Sequence, residues 1–117
     1  MSFDHHKLNV YHRGLDVLES CDKVAQHLPA GRAHLPDQID RATTSIVANI
    51  AEGAGEFSRK EKARFYRMAR RSAIESAAWL DIVERRREAP APLVQQGLRQ
   101  LHEVVAMLVK LIQSCRR

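Results

Sequence analysis

The chain has 117 residues, the length of one ordinary domain, and can bury a core without disulfide or metal staples. Hydrophobic residues make up 44% and charged residues 28%, but aromatics only 5%, so the core is expected to be built from Leu, Ile, Val and Ala. No run approaches the roughly 18 apolar residues of a membrane span, and the start Met-Ser-Phe-Asp-His-His-Lys has no apolar signal-peptide region, so a cytoplasmic protein is expected.

The first helix is predicted over 9–27. Val10, Tyr11, Leu15, Leu18, Cys21, Ala25 and Leu28 recur at helical steps, Asn9 is a plausible N-cap, and Pro29 and Gly31 end the segment. The second is predicted over 34–52, with Pro36 in its first turn and Leu35, Ile39, Ala42, Ile46, Ile50 and Gly53 in steps of four and three. Gly53 and Gly55 read as its terminator, one of them taking the left-handed conformation.

The third helix is predicted over 58–87. Ser58-Arg59-Lys60-Glu61 is a capping box, and the inward stripe is Phe65, Tyr66, Ala69, Ser72, Ala73, Ser76, Leu80 and Val83. Ala89-Pro90-Ala91-Pro92 interrupts the pattern. The fourth helix is predicted over 92–115, with Leu93, Leu101, Val104, Val105, Leu108, Leu111 and Ile112 as its stripe. Four amphipathic helices with short connections imply an all-α, antiparallel, up-down-up-down four-helix bundle forming a single domain. Cys21 and Cys115 then lie at opposite ends, beyond the roughly 7 Å Cα separation of a disulfide, and are expected to be free thiols.

Charge is unevenly placed. Between Arg59 and Arg71 stand seven basic residues and one acid, Glu61, giving +6; the net charge of the whole chain is +5, so the rest amounts to −1. Lys60, Arg64, Arg67 and Arg71 follow i, i+4, i+7, i+11 and share one helical face, with Arg70 beside them. Such a ladder can follow a phosphate backbone and gain by counterion release, and arginine suits bidentate phosphate contacts. The plainer alternative is a solvated face that aids solubility. No helix-turn-helix, zinc-finger or RNP signature accompanies it, so any binding of RNA or DNA is expected to be driven by charge and shape.

The second candidate is a group of polar residues near the seam of helices 2 and 3: Arg41, Ser45, Asn49 and Glu52 with Ser72 and Glu75. Short-loop geometry puts Arg41 roughly level with residues 70–72, and a bond to Glu75 within reach. A ligand site is one reading, but a structural network fixing helix register is preferred, because polar groups at a seam must be paired. His5, His6, His12, His27 and His34 make no close ligand pattern and are read as surface histidines, so no metal is expected. With no GxSxG, P-loop or Rossmann pattern, neither an enzyme, a catalytic residue nor a cofactor is expected.

Gln38, Arg41-Ala42, Ser45-Ile46, Asn49 to Gly53, Phe65, Ala69, Ser72 and Glu75, with Leu8 to Tyr11 and Leu28-Pro29, resemble the bacterial four-helix bundle family, the 23S ribosomal RNA intervening-sequence proteins. The resemblance covers nearly the whole chain. It implies an antiparallel bundle that assembles as a homopentamer. It also implies similarity to the accessory variability protein of diversity-generating retroelements, a basic pentamer that binds nucleic acid and a reverse transcriptase. A homo-oligomeric binding module for RNA, DNA or a protein partner is therefore expected. Gly14 stands where such proteins commonly have Ala, which should weaken helix 1 by up to about 1 kcal/mol.

Overall fold

Residues 2–32 and 34–116 are described by the computed structural model. They form a short 3-10 turn, Asp4–Lys7, and four helices: α1 (Asn9–Ala25), α2 (His34–Gly55), α3 (Arg59–Arg86) and α4 (Ala91–Ser114). Each helix packs on its neighbours in sequence, and α1 closes the ring against α4. The order is up-down-up-down, the simplest solution for amphipathic helices on short loops. The turn at 4–7, which the sequence pattern does not indicate, packs on α2.

The stripe predicted for α2 is the stripe that is buried: Leu35, Ile39, Ala42, Ile46, Ile50 and Gly53. On α3, Tyr66, Ala69, Ala73, Ser76, Leu80 and Val83 are buried as expected, while Phe65 and Ser72 sit at the margin. Helix α1 is turned from its expected orientation. Its core side is Val10, Gly14, Val17, Cys21 and Val24, and Leu15 is left exposed. Gly14, which carries no apolar side chain to mark its face, lies on that core side, with Val47 and Ile50 as its neighbours on α2. Helix α4 buries Val94, Gly97, Leu101, Val104, Leu108 and Ile112, with Leu93, Val105 and Leu111 packed at the edges.

The end of α2 corrects the sequence reading. The helix runs through Gly53 to Gly55, and neither glycine has positive φ. Gly53 is there for space: a Cβ on it would come within 2.7 Å of Tyr66 Cε1 and 3.1 Å of Phe65 Cβ. The last carbonyls of α2 are met by Lys62, whose Nζ donates to Ala54 O at 2.8 Å, a cation placed at the negative end of the helix. The left-handed cap occurs at the end of α3, where Arg87 has φ 54°. At the start of α3, Ser58 Oγ accepts from the Glu61 amide at 3.1 Å as expected, but the Glu61 carboxylate is engaged by Arg64.

Buried hydroxyls are paired. Thr43 donates to Ile39 O, Ser76 to Ser72 O, and Ser20 to Gln100 Oε1. Cys21 and Cys115 are free. Burial, with a smaller effect from neighbouring Asp22, pushes the Cys21 thiol up to about 12. Burial also raises Tyr66, with a smaller effect from Cys115.

Gly14→Ala meets only ordinary van der Waals neighbours, the nearest at 3.5 Å, and should stabilise the protein by up to about 1 kcal/mol. Gly53→Ala must displace the buried Tyr66 ring, and overpacking of about 1–3 kcal/mol should outweigh the helical gain, so thermal melting shifts up in the first variant and down in the second. A thiol raised in the folded state keeps its proton while the unfolded thiol loses it, so the contribution of Cys21 to stability is lost as pH rises above its ordinary 9.0. Iodoacetamide at pH 8 should accordingly label half-buried Cys115 readily and reach Cys21 only when the bundle opens.

Candidate nucleic-acid interface

The small inward residues of α3 decide what its other side does. Ala69, Ala73 and Ser76 sit against the neighbouring helices, so the opposite face is left to solvent. On it stand Lys60, Arg64, Arg67 and Arg71, with Arg70 flanking them, all exposed. From Lys60 to Arg71 the ladder climbs about 16 Å at 1.5 Å per residue. Arg64 is held in place: its Nε reaches Glu61 Oε2 at 3.2 Å and its guanidinium lies 4.5 Å from the centre of the Phe65 ring. Among the described residues, no carboxylate forms an ion pair with Lys60, Arg67, Arg70 or Arg71. Lys62 is not part of this face, because its ammonium turns to the end of α2.

The polar residues of the α2–α3 groove are brought together, with one exception. Ser45 and Ser72 join by their hydroxyls at 2.9 Å, and Asn49 Nδ2 donates to Ser45 Oγ at 3.0 Å. Arg41 donates to Glu75 and also to Gln38 Oε1 at 2.8 Å. Glu75 accepts as well from Trp79 Nε1 at 3.1 Å. Trp79 was not singled out from the sequence, although its i, i+4 spacing from Glu75 was the available signal. Arg41 meets α3 at Glu75, about a turn beyond the expected level of 70–72. The longer α2 moves the chain reversal and with it the register. Glu52 stands apart: it is exposed near the Gly53–Tyr66 level, about nine residues or 13 Å along α3 from Glu75. The two do not form a carboxylate pair.

The groove is open to solvent. Arg41 is 59% and Glu75 36% exposed, so their attraction is largely screened. Further along it, Arg32 Nε donates to Glu88 Oε1 at 2.8 Å beside a shallow cavity of about 270 Å³ lined by Leu35, Trp79 and Ile82.

The histidines at the start of α1 form a ring cluster. His5 packs 4.5 Å from Tyr11, His6 Nδ1 accepts from the Phe3 amide at 3.0 Å, and Tyr11 meets His12 edge-on. Among the described residues no group of His, Cys, Asp or Glu is arranged to hold a metal ion, and no helix is long and apolar enough to cross a membrane.

A double-mutant cycle of Arg41→Met with Glu75→Gln should give a coupling of about 0.2–1 kcal/mol, the range of exposed ion pairs. Glu75→Gln should also change the emission of Trp79, the single tryptophan, by altering its indole partner.

No curated protein matches this chain. A solved structure from Bacteroides thetaiotaomicron, described as a protein of unknown function from the S23 ribosomal protein family, superimposes with a TM-score of 0.79. It is 22% identical, over 89% of this chain and 98% of that one, a likeness that speaks for the fold. The family model for the 23S rRNA-intervening sequence protein matches residues 6–110. On that match across the bundle, the chain belongs to the 23S rRNA-intervening sequence protein family.

Proposed function

We propose that this chain is a non-enzymatic, self-associating protein of the cytoplasm that binds nucleic acid through the basic face of α3. The observation that carries the reading is the exposed ladder of Lys60, Arg64, Arg67 and Arg71 with Arg70, nearly free of acidic partners. Exposed arginines on a rigid helix keep a fixed spacing without the ordering cost of a loop. Their neutralisation by phosphates releases counterions, which makes binding strongly salt-dependent. Assembly as a pentamer would bring the charge to about +25 and steer polyanions to the surface.

A second reading is an adaptor that binds another protein, such as a reverse transcriptase, without touching nucleic acid itself. It is favoured by Met68 and Ile74, apolar side chains 39% and 46% exposed on α3. A partner that stays bound after nuclease treatment supports the adaptor; loss of binding on that treatment supports the first reading.

The deciding experiment is a fluorescence-anisotropy titration with structured RNA and duplex DNA. The affinity should fall by orders of magnitude between about 50 and 200 mM salt if the ladder follows phosphates. Reversal of Arg64, Arg67 and Arg71 to Glu should abolish binding while the circular-dichroism helix content stays, since all three side chains are exposed. Unchanged affinity in the reversed protein removes the proposal.

A further inference from the structure

Phe57 is the most exposed large apolar side chain among the described residues, at 101% against 67% for the next, Phe3. Its position explains why none of the described residues covers it. Phe57 directly precedes Ser58, the N-cap of α3. An apolar residue there ordinarily staples onto the fourth residue of the helix. That residue is Lys62, and its ammonium is occupied at the end of α2, 2.8 Å from Ala54 O. The ring has no apolar partner and projects from the α2–α3 turn. It does so three residues before Lys60, at the foot of the basic ladder, and at the helix end whose free amides favour anions.

We infer that Phe57 is a stacking platform for an unpaired base, so that the α3 face selects single-stranded over duplex nucleic acid. The inference rests on the nucleic-acid reading above and deepens it. An aromatic ring beside a phosphate-tracking row is the arrangement by which single strands are held: the row takes the backbone and the ring takes a base face. A duplex keeps its bases stacked on one another and offers the ring none. Stacking tolerates any base, so the preference is for strand state and not for sequence. Arg64, whose guanidinium lies over the Phe65 ring at 4.5 Å, stands about one turn above Lys60 on the same helix.

The test is an anisotropy titration of the full-length protein with labelled single-stranded RNA, single-stranded DNA and duplex DNA of about 12 nucleotides, within the site sizes of such proteins. Wild-type protein should bind both single strands more tightly than the duplex. Phe57→Leu keeps an apolar side chain but removes the π-face, and should weaken single-strand binding at least about fivefold with little change for duplex. Phe57→Tyr should restore it. Because the ring touches nothing in the fold, melting should be unchanged in both variants.

Equal binding of single strand and duplex, with no effect of Phe57→Leu while the Arg-to-Glu reversal still abolishes binding, overturns this inference and leaves the nucleic-acid reading standing. No binding to any of the three overturns both. A change of oligomer size in Phe57→Leu, measured by sedimentation, would place the ring in a contact between copies and also overturns it.

Discussion

The close contact of α2 with α3 governs the rest of the molecule. Gly53 lets the Tyr66 ring approach to a distance that no side chain would allow, and this fixes one end of the pair. The hydroxyl bond between Ser45 and Ser72 follows in the middle, and Arg41 with Glu75 beyond it. Once these levels are set, the rotation of α3 is set as well. Its small residues must face inward, and its arginines have only solvent to occupy.

That rotation turns a composition bias into a directed surface. Spread over the whole chain, a net charge of +5 would act weakly through salt. Collected on one helical face about 16 Å long, it makes a local field with a direction and a spacing. The positive residues are also sorted by task. Lys62 serves the end of α2, Arg41 bridges to Glu75, and Arg32 meets Glu88, while the α3 ladder is left to the outside. The polar groove beside the ladder behaves as a surface feature. Its main ion pair is open to water, and the Ser45–Ser72 hydroxyl bond joins the two helices without creating a buried charge, while Asn49 bonds within α2.

Much of the architecture was legible because helical periodicity is a strong signal over segments of this length. The α2 stripe from Leu35 to Gly53, the Ser58 cap and the outward row from Lys60 to Arg71 all stand where the sequence places them. Apolar pattern, capping chemistry and charge spacing are properties of neighbouring residues, so the sequence alone determines them. The tertiary structure decided what depends on residues far apart. Gly53 reads locally as a helix end, yet the helix passes it and stops only at Gly55, where the Tyr66 ring and the Lys62 ammonium are brought by another helix. Gly14, silent in any hydrophobic pattern, proves to lie on the core side of α1, and Leu15 is left outside. Arg41 reaches Glu75 as the spacing allowed, but Glu52 stays exposed and outside the groove network. The exposure of Phe57 likewise follows from Lys62 being engaged elsewhere. In each case the deciding contact crosses between helices, where the local periodicity of one segment carries no information about the surface it meets.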